Sequence, residues 1–345
     1  MIYKIISWFV FNPQSNTDLK TINRDRDLRN YQVFSNSRYL FFFGGRLRTL
    51  TNTKRFSIFT FIIILLPLIL YLIFESSWLW HHVSPALVIL FIYTWFLCFM
   101  NFLMAAATDP GILPKNIHIT DDSRQLPIEY FNIISLPGYL KNNSVEIKYC
   151  NTCHIWRLPR TSHCATCNSC IMFHDHHCMW LDNCVGQRNY RYFLNFLIFA
   201  CISVIYLIIT SFYHLFKYDQ FLPIREVMKH IPMTLFLAIY SCLAIMYPAL
   251  LLTCQLFLTM NLMTTREYFH ILNSSPNELK GNNFISKVWN TNSFNSKNIF
   301  TNLVIQFCRP RGLSLVRLQD RYINGDSRFE NLNNDKDSDF GKYQI

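Results

Sequence analysis

The chain has 345 residues, of which 51% are hydrophobic and only 15% charged, with a formal net charge of +11. That length would suit two soluble domains, but charge-free apolar stretches of bilayer-spanning length exclude the reading. The positive charge does not indicate nucleic acid. Its Lys and Arg residues cluster beside those stretches, where attraction to anionic lipid accounts for them.

Residues 1–55 form a polar, mixed arm ending in Phe41-Phe42-Phe43-Gly44-Gly45-Arg46. Within it, Ile5 to Phe11 is apolar but too short for a signal core, and no small-residue cleavage site follows. Four later stretches approach the roughly 20 apolar residues that a span requires: Phe56 to Phe74, Pro85 to Ala107, Tyr192 to Phe216, and Ile231 to Leu262. The last is longer than one span needs, so either Pro248 kinks it or one end lies in the interface. The predicted fold is an α-helical polytopic membrane protein with four transmembrane helices: 56–107 holds the first pair and 192–262 the second. The intervening loop, 108–191, opens on the helix stop Asp109-Pro110-Gly111. It continues irregularly through Pro114, Pro127 and Pro137 to Asn143, then enters a cysteine-rich region at 150–193. Beyond the fourth span, 263–345 begins with Thr264-Thr265-Arg266-Glu267. There, Phe284, Ile285, Val288 and Trp289 are spaced for one face of a short interfacial helix. After about Arg321 the tail is rich in Asn and Asp, which predicts disorder.

Lys and Arg favour the cytoplasmic side. Arg46, Arg48, Lys54 and Arg55 precede the first span, Lys115, Lys148, Arg157, Arg160, Arg188 and Arg191 lie in the central loop, and Arg266 follows the fourth span. The connection Glu75 to Ser84 has no Lys or Arg. Both termini and the central loop are therefore expected in the cytosol. The three Lys/Arg of Lys217 to His230 pull the other way, but an even number of spans puts that loop on the far side.

Seven of the twelve cysteines fall between Cys150 and Cys184, with His154, His163, His174, His176 and His177. A reducing cytosol makes them metal ligands or catalysts rather than disulfides. Cys98, Cys201, Cys242 and Cys254 lie within spans and read as small buried residues. Cys308, beside Arg309-Pro310-Arg311, is a single-cysteine acylation candidate. Cys150-x2-Cys153 and Cys164-x2-Cys167 each let two thiolates grip one zinc ion. Two tetrahedral sites need eight ligands. With Cys178 set aside, six cysteines remain and two histidines complete the set, whether the ligands pair sequentially or interleave. Zinc alone does not explain Asp175-His176-His177-Cys178. A nucleophilic cysteine needs a base, and the base needs a group to orient it. The alternative is that all four residues support a structural knot.

These residues, continued by Cys184-Val185-Gly186, Asn189-Tyr190-Arg191 and Phe193, resemble the cysteine-rich domain of the DHHC protein S-acyltransferases. Asp109-Pro110-Gly111 and Thr264-Thr265-Arg266-Glu267 stand at that family's other motif positions, and the likeness covers roughly residues 41–312. The glycine-arginine run and Pro310-Arg311-Gly312 look most like the fungal branch that acts on Ras. The resemblance implies two structural Zn2+ ions, one on Cys150, Cys153, His163 and Cys170, the other on Cys164, Cys167, His177 and Cys184. It implies Cys178 as acyl-accepting nucleophile, His176 as base, and Asp175 as the group orienting His176. Thr264, Thr265 and Asn302 would support the site, and Phe294 fits an aromatic position of the family. Met179 and Leu158 replace prolines usual in the family, and Lys297 stands where glycine is common. The implied donor is palmitoyl-CoA, with Arg157, Arg160 and Arg188 as candidate contacts to its phosphates. The implied partners are Ras-type GTPases with membrane-proximal cysteines, a small accessory subunit and membrane lipid. The implied location is the endoplasmic reticulum, with Golgi as the alternative. A membrane adaptor built on a zinc module, or a RING-like ubiquitin ligase, are the rival readings, and neither requires an unliganded Cys178 beside His176.

Overall fold

A computed structural model describes residues 9–13, 28–34, 39–50, 56–118, 134–137, 144–218, 223–274, 289, 292, 294–308, 310–323 and 325–329. Among these, four helices are long and apolar enough to cross a membrane: Phe56–Phe74, Pro85–Ala107, Tyr190–Lys217 and Pro232–Met260. The shortest has 19 residues, and at about 1.5 Å per residue it matches a hydrocarbon core about 30 Å thick. The third span starts two residues before the predicted Tyr192, because the Tyr190 amide already bonds the Gly186 carbonyl at 2.9 Å. The fourth is broken at Ile245 into Pro232–Ala244 and Met246–Met260. Pro248 has no N–H to offer the Ala244 carbonyl, so the expected kink falls just before it.

Polar side chains tie the spans together inside the membrane. Trp95 Nε1 of the second span donates to the Ile64 carbonyl of the first at 2.9 Å, and Tyr206 Oη of the third donates to the Leu87 carbonyl at 2.7 Å. At the end of the bundle farther from the cysteines, Glu75 meets His214 Nδ1 at 2.8 Å, and both are buried. Trp78, on the connecting helix Ser76–His82, stacks on the His214 ring at 4.0 Å. Cys98 and Cys201 are buried as expected, whereas Cys242 and Cys254 face outward.

Outside the spans, strands β1 (Val10–Phe11), β2 (Tyr39–Phe42) and β3 (Leu47–Leu50) form an antiparallel sheet in the order β1-β2-β3. Its aromatic face, with Phe11, Tyr39 and Phe41, packs with Tyr31 against Val316, Leu318 and Phe329 and against the sulfurs of Cys164, Cys167 and Cys184. Backbone bonds clasp the two ends of the chain, Tyr31 to Leu318 at 2.9 Å and Tyr322 to Leu28 at 2.8 Å. The tail is therefore folded past Arg321, where composition predicted disorder, because Tyr322 and Phe329 find an aromatic layer. Residues 330–345 lie outside the described residues. So does the predicted interfacial helix, apart from Trp289. The segment read as irregular contains an antiparallel hairpin, β4 (Ile134–Pro137) with β5 (Ser144–Ile147), and Pro137 sits at the end of its strand.

Candidate active site between two metal centres

Three short hairpin strand pairs would normally be too small to stand alone. Here β6 (Tyr149–Cys150) pairs with β7 (Ile155–Trp156), β8 (Ser162–Cys164) with β9 (Ser169–Ile171), and β10 (His176–Cys178) with β11 (Asn183–Val185). Cross-strand partners converge in the last two hairpins: His163 faces Cys170, and His177 faces Cys184. Each cysteine pair ends in a left-handed residue, His154 with φ 51° and Asn168 with φ 48°, which turns the chain sharply around the sulfurs. The result is two Cys3His groups, Cys150, Cys153, His163 and Cys170, and Cys164, Cys167, His177 and Cys184, with ligand atoms in each within 4.8 Å of one another. His163 Nδ1 lies 3.7, 3.4 and 3.9 Å from the sulfurs of Cys150, Cys153 and Cys170. His177 Nδ1 lies 3.7, 3.5 and 3.5 Å from those of Cys164, Cys167 and Cys184. Zn–S and Zn–N bonds of about 2.3 and 2.0 Å give tetrahedral edges of about 3.5 Å, so both groups fit a metal ion. Protonation leads to the same conclusion. Hydrogen bonds from neighbouring thiols push Cys150 and Cys164 down, while the same neighbours push Cys170 and Cys184 up. Three crowded thiols cannot all ionise without a cation among them. Of the two pairings left open by spacing, the structure adopts the interleaved one, because the β8–β9 hairpin contributes to both groups.

Strand geometry separates the remaining residues. Side chains alternate across a strand, so His176 and Cys178 share one face of β10 while His177 points to the metal group on the other. His176 Nδ1 bonds Asp175 Oδ2 at 2.7 Å. Burial alone would push His176 down, but Asp175 and Cys178 push it up to about 10. The ring edge packs on Phe193 with centroids 5.4 Å apart. Cys178 itself is 6% exposed, in an apolar cluster with Leu181, Phe193 and Leu194.

Asp175 is held by the chain beyond the fourth span. Thr264 and Glu267 form a capping box at the start of helix Thr265–Ser274: Glu267 N donates to Thr264 Oγ1 at 3.2 Å, and Thr264 N to Glu267 Oε2 at 2.8 Å. The capped end presents Thr265 N and Oγ1, which donate to the Asp175 carboxylate at 2.7 and 2.8 Å. Gln255 Nε2 of the fourth span donates to Asp175 Oδ2 at 3.3 Å, and Tyr190 Oη donates to Gln255 Oε1 at 2.9 Å. Burial would raise Asp175, yet His176 and Thr265 hold it below the usual carboxylate range.

A family profile described as DHHC palmitoyltransferase matches residues 143–271. Palmitoyltransferase ERF2 of Debaryomyces hansenii is 43% identical over 96% of this chain and 91% of its own length. The proteins of the same name in Eremothecium gossypii and Saccharomyces cerevisiae are 39% and 37% identical, over 95% and 91% of this chain and 86% and 87% of theirs. The chain belongs to the DHHC palmitoyltransferase family. It is a multi-pass membrane enzyme that palmitoylates protein.

The other motif residues of this palmitoyltransferase dock the cysteine-rich region onto the spans. Asn183 Nδ2 donates to the Ala105, Ala106 and Thr108 carbonyls, and Asn189 Nδ2 to the Ala105 and Cys184 carbonyls, satisfying the otherwise unpaired end of the second span. Asp109 caps its own turn through the Gly111 and Ile112 amides at 3.0 Å, and pairs with Arg188 and Arg48. Arg48, read from sequence as a juxtamembrane charge, is instead buried over the Tyr39 ring. Arg160 is bidentate to Glu267 at 2.7 Å and lies between the Phe173 and Phe294 rings. Arg160 and Arg188 line a narrow cleft of about 30 Å³ beside Asp175, with Arg191 and Arg311, while Arg157 is not among its lining residues. Asn302 is farther off, donating to the Met260 carbonyl at 2.7 Å and so fixing helix Ile299–Cys308 to the fourth span. Met179 and Leu158, the departures from proline, are both exposed. Sequence reading missed Gln255, and named Tyr190 only within a motif of the resemblance. A glutamine inside an apolar span was the available signal, since polar groups there are seldom idle.

Proposed function

We propose that this enzyme moves palmitate from palmitoyl-CoA to substrate-protein cysteines through an acyl-Cys178 thioester. The observation that carries the reading is Cys178 itself. It belongs to neither Cys3His group, yet it stands two residues along the same strand from a histidine oriented by Asp175. In the first step the Cys178 thiolate attacks the thioester carbonyl. The bond to the CoA sulfur breaks, and the leaving thiolate takes the proton of the His176 imidazolium. In the second step a substrate cysteine gives its proton to neutral His176 and attacks the acyl group, and Cys178 departs as thiolate. Each step exchanges one thioester for another, so no external energy source is needed.

The ions bound to the two Cys3His groups are proposed to be Zn2+, and when bound they would hold the hairpins together. At about 0.8 kcal/mol per buried methylene, a palmitoyl chain gains on the order of 11 kcal/mol by leaving water. Burial of Cys178 in the apolar cluster that includes Phe102, Phe193 and Leu194 of the spans suits a carbonyl anchored there with its tail among the helices. Arg160 and Arg188 are engaged by carboxylates, so Arg191 and Arg311 are the cations of the cleft best suited to CoA phosphates. Both termini and the cysteine-rich region would face the cytosol, in the endoplasmic reticulum or alternatively the Golgi. Ras-type proteins as substrates, and a small accessory subunit, follow from likeness to the fungal branch.

The test is uptake of labelled palmitoyl-CoA by the purified chain. Wild type should carry a hydroxylamine-sensitive label and Cys178→Ser none. Equal labelling of the two would sink the proposal.

A further inference from the structure

The cations of Lys217 to His230 stand on the side that the distribution of positive charge disfavours, and the acyl transfer at Cys178 makes no use of them. At about 1.5 Å per residue, Phe216 lies roughly 34 Å along the third span from Phe193, at the opposite membrane face from His176. Between the third and fourth spans at that face is a groove of about 320 Å³, whose apolar walls include Phe212, Phe216, Met228, Leu235, Ile239 and Cys242. Its size is that of a small-molecule site. It opens sideways toward lipid, with Phe216 67% and Ile239 55% exposed.

The short helix Ile224–His230 folds back over one end, with Val227 buried and Met228 in the groove wall. Arg225 sits one turn before Met228 on the same helix face, and Lys217 follows Phe216 directly. Both cations are exposed, and neither has a carboxylate partner among the described residues, whereas Lys229 is taken by Glu226 at 2.7 Å. The groove does not depend on a ligand for its shape. His214 of the third span bonds Glu75 at 2.8 Å and lies 3.4 Å from Thr234 Oγ1 of the fourth, fixing the two span ends.

Hydrocarbon alone would need no cation on the residue after Phe216 or one turn before Met228. We propose that this groove binds an anionic phospholipid, one tail along the slot and the phosphate between Lys217 and Arg225. The charge term is sequence-local and the tail term is shape, so the two can be separated by experiment.

The full chain, purified in detergent, is offered equal amounts of phosphatidylserine and phosphatidylcholine with identical palmitoyl-oleoyl tails, and retained lipid is read by native mass spectrometry. Wild type should prefer the serine lipid by about twentyfold, and Lys217→Gln or Arg225→Gln should each lower that ratio about fivefold. Cys242→Trp, which fills the groove from an exposed wall, should reduce retention of both lipids. Ile239→Trp supplies the same block should Cys242→Trp melt early. Equal retention of the two lipids by wild type overturns the proposal. So does a preference that survives the double glutamine variant, or serine-lipid retention unchanged by the tryptophan block.

Discussion

Four donor atoms converge on the Asp175 carboxylate: His176 Nδ1, Thr265 N, Thr265 Oγ1 and Gln255 Nε2. Each fixes a carboxylate that in turn fixes the imidazole, so their loss is felt as misorientation of His176 rather than as unfolding. Thr265→Val keeps the shape and the backbone donor but removes the hydroxyl. A hydrogen bond to a charged group contributes about 1.5–3 kcal/mol, so acyl loading by palmitoyl-CoA should slow at least roughly tenfold. Metal content should stay at the wild-type value; its loss in this variant would show that Thr265 acts on folding instead. Gly186 makes the opposite kind of prediction. A Cβ there would meet the Pro110 carbonyl at 2.7 Å and Ile171 Cγ2 at 2.8 Å, both parts of packed backbone or core. Gly186→Ala should lower stability by about 1–3 kcal/mol, read as a drop in melting temperature.

The β8–β9 hairpin gives His163 and Cys170 to one metal group and Cys164 to the other, so neither site forms independently. His163→Ala should therefore deplete both metal ions together, measured by mass spectrometry of the purified protein, and a loss confined to one site would contradict this coupling. At the other end of the bundle, Glu75 and His214 are buried against each other with Trp78 stacked above. Glu75→Ala leaves His214 without its counterpart and should cost about 3 kcal/mol, seen as a lower melting temperature in detergent. Double substitution to an apolar pair should recover much of that loss. Element identity in this chain was legible because spans announce themselves as charge-free runs, and Cys-x2-Cys turns as fixed spacings. Pairing across distance was not. Glu75 and His214 are 139 residues apart, and nothing local marks either as the other's partner. Arg48 carried a misleading local signal, a charge next to a span, whereas its meaning lies in Asp109 across the fold.

Three parts of the chain close around the cysteine-rich region: the arm before the first span, the tail after residue 310, and the helix following the fourth span. The proposed nucleophile and base lie within four consecutive residues, where a strand's twofold alternation sorts them without long-range help. The clamp on Asp175 was readable only as a resemblance, because capping-box geometry explains Thr264 and Glu267 locally but not where Thr265 points. That clamp has a consequence for synthesis. Asp175 must wait for Thr265, which leaves the ribosome 90 residues later and only after the last span has been made. A nascent chain still threaded through the translocon thus has Cys178, His176 and both Cys3His groups but lacks the Thr265 grip on the Asp175 carboxylate. The carboxylate that orients His176 is therefore completed only once the fourth span and the residue that opens the helix after it have been made.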